Sequence, residues 1–124
     1  MTVRSKNSEH DEQVAVIQWA AVKAFNKREL AMLYAIPNGG HRHKAVGGKL
    51  KAEGVKSGVP DLCLPVPVGE FCGLYIEMKR ANGVPSDVKD CQRAWIDDLN
   101  KWGYRAEVCF GANAAISVIE DYLG

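Results

Sequence analysis

The sequence has no apolar run long enough for a membrane helix, and its beginning lacks the pattern of a secretory signal. A spanning helix needs about 20 consecutive apolar residues, and no stretch of the 124 residues approaches that length. The basic residues near the N-terminus are not followed by an apolar segment, so we do not expect export. Both absences predict a cytoplasmic protein without a membrane partner.

Cysteine and histidine are too sparse and scattered for a zinc site or a disulfide framework. The four cysteines form no C-x-x-C pair, and the three histidines do not complete a zinc pattern. We therefore expect reduced, structural cysteines, with a metal or disulfide role as the less favoured alternative. The sequence also contains no internal repeat and no low-complexity segment.

No excess of one charge is present in the chain as a whole. Sixteen Lys and Arg residues oppose 15 Asp and Glu residues, for a net charge of +1. Basic residues are instead concentrated between Arg42 and Lys56, where five of them accompany one acid, Glu53. Such a segment suits a polyanionic substrate, although a solvated basic helix is the alternative.

The length and the 47% hydrophobic content indicate a single domain. We expect a flexible N-terminus over residues 1–8 and one domain over residues 9–124. Hydrophobic periodicity predicts helices over Glu9–Phe25, Asp87–Trp102 and Ala112–Leu123, with Ser8 and Ser86 as N-caps of the first two. Strands are predicted over Ala31–Ile36, Asp61–Val66, Gly73–Lys79 and Tyr104–Phe110, and His41–Lys56 is helical at most in part. This order predicts an α/β fold with a mixed sheet and helices on both faces.

Two acids and a lysine stand at the ends of two neighbouring predicted strands. The apolar residues follow Asp61 but precede Glu77, so a hairpin-like pair would collect the polar groups at one end. Side chains alternate along a strand, which places Glu77 and Lys79 on one face and Met78 in the core. This cluster predicts a site for a divalent cation and a phosphate, with an exposed salt bridge as the alternative on local grounds.

The chemistry of this cluster favours phosphodiester hydrolysis. A divalent cation offsets the negative charge of a phosphodiester and makes a bound water easier to deprotonate. Asp61, Glu77 and the backbone carbonyl of Met78 offer oxygen ligands, which suit Mg²⁺ or Mn²⁺ better than zinc. Lys79 would orient the attacking water or stabilise developing negative charge, and the direction of its pKa shift stays open. No organic cofactor is expected.

Several segments resemble one nuclease family. Gly58-Val59-Pro60-Asp61, Ile76-Glu77-Met78-Lys79 and Gln92 resemble the motifs of the PD-(D/E)xK nuclease superfamily. More narrowly, they resemble the virus-type replication–repair nuclease (VRR-NUC) domain of small, stand-alone phage proteins. Further similar segments are Ile36–Gly40, Leu50–Gly54, Gly73–Glu77 and Gly103–Arg105. The resemblance covers roughly residues 9–123 and implies a restriction-endonuclease-like core with the order α-β-β-β-α-β-α.

The resemblance also implies that the first helix supplies another acid. Glu9 stands four residues before Gln13, so the two share a helix face, and this spacing is similar to the family's acid followed by glutamine. Glu12 lies on a different stripe and is the alternative catalytic acid and metal ligand. Gln92 would be an active-site residue that positions Lys79 or water, whereas on local grounds it could be a solvated helix residue.

For activity, the resemblance implies a metal-dependent, structure-selective DNA endonuclease, working as a homodimer on branched DNA such as four-way (Holliday) junctions. The phage-like form suggests a role in replication, recombination, repair or packaging of DNA in a bacterial or phage-infected cell. Alternatives are a nuclease of the same fold on flap, duplex or single-stranded DNA, or a non-catalytic DNA-binding module. The residues expected to contact DNA are Asn38, Gly39, Gly40, Arg42, Lys44, Lys49, Lys51, Lys56 and Arg80. Trp95, Trp102 and Tyr104 are expected in the core.

Overall fold

The computed structural model describes residues 7–37 and 44–124, and the side chains of the second range from residue 48 onward. These parts of the chain contain four α-helices, four strands and two short 3-10 helices. The α-helices are α1 (Glu9–Lys23), α2 (Lys44–Ala52), α3 (Asp90–Lys101) and α4 (Ala112–Leu123). The strands are β1 (Tyr34–Ala35), β2 (Leu62–Leu64), β3 (Leu74–Lys79) and β4 (Arg105–Phe110), and the 3-10 helices are Arg28–Met32 and Pro85–Asp87.

The strands form one mixed sheet in the order β1-β2-β3-β4. β2 runs antiparallel to both β1 and β3, and Leu62 pairs with Ile76. β4 runs parallel to β3, which requires a crossover connection, here provided by α3. The mixed sheet flanked by helices confirms the α/β prediction, and the antiparallel β2–β3 pair confirms the hairpin-like arrangement.

The main core lies between the sheet and the pair α1 and α4. It contains alternate residues of the two central strands, among them Leu62, Leu64, Leu74, Ile76 and Met78. From the helices it takes Val16, Ala20, Ala115 and Ile119. Since β-strand side chains alternate, packing Ile76 and Met78 here turns Glu77 and Lys79 to the other face of the sheet.

α3 packs beside β4 and covers the outer edge of that strand. The side chain of Asn100 accepts from the N–H of Ala106 at 3.0 Å and donates to its carbonyl at 3.0 Å. A single side chain thereby satisfies both backbone groups of a residue on the outermost strand. Covering a sheet edge in this way prevents its pairing with another chain.

Two predicted elements differ from those observed. The first two residues of the predicted strand Ala31–Ile36 belong to the 3-10 helix Arg28–Met32, in which only Leu30 is buried, and the observed strand is Tyr34–Ala35. The helix predicted from Asp87 begins at Asp90, because Pro85–Asp87 forms a separate 3-10 turn. Ser86 is therefore not its N-cap, which is Lys89. Ser8 does cap α1, in a reciprocal pair with Asp11.

The aromatic residues expected in the core fall into different environments. Trp102 is 73% exposed, so its assignment to the core is wrong. Trp95 is half-buried and its indole N–H donates to the carbonyl of Ser57 at 3.1 Å, while Tyr104 packs edge-on against Tyr75. Of the four free cysteines, Cys63 and Cys109 are buried, and Cys72 and Cys91 are exposed. None of the helices among the described residues is both long and apolar enough to cross a membrane.

Candidate active site

The two central strands bring Asp61 and Glu77 side by side. The β2–β3 register pairs Leu62 with Ile76, and its extension by one residue places Asp61 opposite Glu77. Oδ2 of Asp61 accepts a hydrogen bond of 2.7 Å from the backbone N–H of Met78. One oxygen of Asp61 is thus fixed by β3, which orients the carboxylate toward Glu77.

Glu77 is a buried carboxylate with one unsatisfied oxygen. The residue is 1% exposed, and its Oε2 accepts from Nε2 of Gln92 at 3.2 Å. Its Oε1 has no hydrogen-bond partner in the described part of the chain. Leaving a charged oxygen buried and unpaired is costly, so a proton shared with Asp61 or a bound cation is needed to complete the site.

The pKa of Glu77 indicates whether its carboxyl group carries a proton when no cation is bound. Burial raises the pKa of Glu77 to about 9, and the neighbouring charge of Asp61 acts in the same direction, against a smaller lowering by Lys79. Without a cation, Glu77 is therefore protonated at neutral pH. A divalent cation between the two carboxylates would favour the charged form of Glu77 instead.

Lys79 lies buried between two carboxylates without a close contact to either. Its Nζ is 3.8 Å from Oε2 of Glu77 and 3.9 Å from Oε2 of Glu9. Direct hydrogen bonds between an ammonium and a carboxylate are about 2.7–2.9 Å long. The ammonium is consequently held by charge but retains the capacity to hydrogen-bond a water or a phosphate oxygen.

The N-terminus of α3 fixes the orientation of Gln92. The backbone N–H of Lys89 donates to Oε1 of Gln92 at 2.9 Å, which leaves the amide Nε2 as the group that faces Glu77. The structure thus places Gln92 against Glu77 rather than against Lys79. The late start of α3 is what creates this arrangement, because Gln92 is the third residue of the observed helix.

Of the two acids on α1, the structure brings Glu9 to the cluster. Glu9 is exposed and approaches Lys79. Glu12 is buried on the neighbouring stripe, and its Oε1 accepts from the N–H of Ala112 at 3.0 Å. Ala112 begins α4, whose preceding Gly111 offers no side-chain cap, so Glu12 satisfies a free N–H at the positive end of that helix.

These positions predict opposite phenotypes for the two acids. Glu12→Ala should leave the N–H of Ala112 buried without a partner and lower the free energy of unfolding by about 1–3 kcal/mol, with little change in cleavage per folded molecule. Glu9→Ala should lower cleavage with little loss of stability. Thermal denaturation and single-turnover cleavage of both variants test this, and the reverse pattern would assign the active-site acid to Glu12.

A cleft of about 930 Å³ opens above the cluster. Its floor is formed by Asp61, Glu77 and Lys79, and one wall by a stripe of α1 at helical spacing. The opposite wall comes from the connection between β3 and α3. The complete lining is Glu9, His10, Gln13, Val14, Ile17, Gln18, Asp61, Glu77, Lys79, Arg80, Asp87, Lys89 and Gln92. The sequence did not lead us to predict Lys89, or the α1 residues His10, Val14, Ile17 and Gln18, as part of the site. The four-residue spacing from Glu9 and from His10 nevertheless indicates this stripe of α1.

Of the expected DNA contacts whose side chains the structure describes, one lines this cleft. Arg80 lines it. Lys49, Lys51 and Lys56 are exposed but do not line it. Asn38, Gly39, Gly40 and Arg42 lie outside the described residues, as does the side chain of Lys44. The role of the basic segment in DNA binding stays a prediction.

The oxygen ligands of the site suit a hard divalent cation that takes only some of its ligands from the protein. Within residues 7–37 and 44–124, no three Asp, Glu, His or Cys side chains are gathered into a metal cluster. Asp61 and Glu77 could hold the ion, with the carbonyl of Met78 as a further oxygen. Mg²⁺ commonly keeps several waters and takes one or two carboxylates from the protein, and the unpaired Oε1 of Glu77 is suited to such a ligand.

Comparison with known proteins agrees with this arrangement. The chain matches the model of the VRR-NUC domain over residues 6–113. A solved structure described as a VRR_NUC domain protein is similar, with a TM-score of 0.80 and 30% sequence identity, over 96% of this chain and 90% of that one. No curated protein matches.

Proposed function

Because the chain belongs to the VRR-NUC domain family, and hence is a nuclease of the PD-(D/E)xK type acting on DNA, we propose that it is a metal-dependent, structure-selective endonuclease. Its substrate is branched DNA such as a four-way junction. The observation that supports metal dependence is the buried Glu77, whose Oε1 has no partner in the described chain and whose pKa is raised to about 9. Mg²⁺ or Mn²⁺ is the expected ion.

The residues of the site divide the work of hydrolysis among them. Asp61 and Glu77 would hold the cation, which would supply Lewis-acid stabilisation of the phosphate and a more acidic water. Gln92 holds Glu77 in the orientation that this requires. Lys79, which forms no close ion pair, donates to the attacking water or to a phosphate oxygen in the transition state. The products would carry 5′-phosphate and 3′-hydroxyl ends.

A homodimer is the assembly that suits a branched substrate. The described part of each chain has one such cluster, whereas resolving a four-way junction requires two cuts. Two chains related by a two-fold axis would present two sites to a junction with the same symmetry. Sedimentation equilibrium at micromolar concentration tests this part of the proposal, and a monomer would count against it.

The cleavage reaction itself tests the proposed function. Labelled four-way junction, 5′ flap and duplex are each incubated with Mg²⁺, Mn²⁺ or EDTA. We expect paired, metal-dependent cuts in the junction, because a two-fold dimer would present one site to each of two symmetry-related strands. Asp61→Ala should abolish the cuts, since it removes a ligand that faces Glu77.

The matched control is Asp97→Ala, which removes an exposed acid of α3 outside the cleft and should cut like the wild type. Cutting of all three DNAs at similar rates would indicate a nuclease without a preference for branched DNA. Retarded bands without cutting in the presence of either metal would indicate a DNA-binding module without nuclease activity.

A further inference from the structure

The two walls of the cleft differ in charge. The wall between β3 and α3 carries Arg80 and Lys89, both exposed. Neither forms an ion pair with any residue in the ranges 7–37 and 44–124. The opposite wall belongs to α1, which has no lysine or arginine before Lys23. Among residues 7–37 and 48–124, a polyanion in this cleft would therefore find lysine and arginine side chains on one side only.

The cationic wall has side chains that are available to a ligand. Lys89 is the N-cap of α3, but it acts through its backbone N–H, which donates to Gln92, so its ammonium is not needed there. Asp87 is the one acid of this wall, and its Oδ2 already accepts from the N–H of Val84 at 2.9 Å. Arg80 directly follows Lys79. The side chains of Arg80 and Lys89 therefore suit phosphates that neighbour the phosphate bound at the floor of the cleft.

The α1 wall has the chemistry of a surface for sugars and bases. Gln13 and Gln18 offer amides, and between them Val14 and Ile17 present apolar surface, with Val14 38% exposed. From His10 to Gln18 this wall is about 12 Å long, at 1.5 Å per helical residue. At the 3.4 Å axial rise of a duplex strand that length spans about three nucleotides, and an extended unpaired strand would place fewer nucleotides along it.

We propose that the cleft is a channel for one unpaired DNA strand, with phosphates on Arg80 and Lys89 and with sugars and bases against the α1 stripe. A duplex would turn phosphates toward both walls, and along the cleft-lining part of α1, from Glu9 to Gln18, they would meet no lysine or arginine. This inference rests on the proposed nuclease function and refines it. The arms of a four-way junction are paired, so the strand that is cut must unpair locally at the branch point to enter the site.

Equilibrium binding in EDTA tests the channel without any cleavage. Fluorescence anisotropy compares a 5′-labelled single strand of about 12 nucleotides with the corresponding duplex, over a range of salt concentrations. We expect the wild type to bind the single strand at least about tenfold more tightly. For Lys89→Gln, the slope of log affinity against log salt should fall by about 0.7, the value for one phosphate contact on a single strand.

Matched controls lie on the same helices outside the cleft. Lys101→Gln, at the other end of α3, should leave the salt slope unchanged.

Val14→Glu places a negative charge on the α1 wall and should weaken single-strand binding by about tenfold or more, an electrostatic effect. Val22→Glu makes the same change at a 69% exposed position of α1 beyond the cleft lining, and should bind like the wild type.

Equal or tighter binding of the duplex would overturn the channel, as would a Lys89→Gln variant with an unchanged salt slope or a Val14→Glu variant with unchanged affinity. The proposed function fails in a different way. If the protein shows the expected binding but cuts no DNA with Mg²⁺ or Mn²⁺, the channel is supported and the nuclease activity is contradicted. A protein that cuts junctions but shows none of these binding effects would retain the nuclease and lose the channel.

Discussion

Lys79→Met should lower the rate of DNA cleavage at saturating metal and DNA by about 100-fold or more. The methionine keeps an apolar chain in a site where Lys79 is buried, but it has no ammonium to donate to water or phosphate. Removing one donor that acts in a transition state typically costs a factor of about 10²–10³. Affinity for DNA in EDTA should stay within a few-fold of wild type, so the loss appears in the single-turnover rate.

The neighbouring Arg80 provides the contrasting variant. Arg80 is exposed on the cleft wall, so Arg80→Gln should weaken DNA binding while the rate at saturating DNA is retained. Lys79→Arg should not recover the rate, because a planar guanidinium presents its donors differently from the compact ammonium between Glu77 and Glu9. A Lys79→Met protein that cuts within about tenfold of wild type would reduce Lys79 to a structural charge between those two acids.

The floor of the site was the part of the molecule that the sequence predicted best. Asp61 and Glu77 each adjoin an apolar strand, and strand alternation then determines which face each side chain occupies. The antiparallel register of β2 and β3 needed only those two runs and the short connection between them. The family motif agrees with the same residues, so two independent arguments converge on this pair.

The cleft walls were harder to predict because they depend on packing between distant elements. Glu9 and Glu12 are both acids in the first turn of α1, and local pattern cannot tell which one meets β3. The choice is made by α4, whose first N–H takes the carboxylate of Glu12 and thereby sets the rotation of α1. The position of Lys89 was missed for a similar reason, since the turn Pro85–Asp87 delays the start of α3 and brings Lys89 to the cleft.

Glu77→Gln should abolish cleavage and yet remove a pH-dependent instability of the metal-free protein. In EDTA, the pKa of Glu77 is about 9 in the folded state against an ordinary 4.5, so the folded state binds this proton more tightly than the unfolded state does. The contribution is fully present below about pH 4.5 and is lost as the pH rises toward about 9. One pKa unit corresponds to about 1.4 kcal/mol, and we expect a loss of about 2–4 kcal/mol between pH 5 and pH 8 in the wild type.

Glutamine resembles the protonated glutamate, so Glu77→Gln should show little of this loss, and urea unfolding at the two pH values in EDTA measures the difference. Asp97→Asn, an exposed position, should retain the wild-type pH dependence. Adding Mg²⁺ at pH 8 should stabilise the wild type, because a ligand of the folded state shifts the equilibrium toward it, and should stabilise Glu77→Gln much less. Equal pH dependence in wild type and Glu77→Gln would show that Glu77 is ionised in the metal-free fold, and the unpaired Oε1 would then need another partner than a proton.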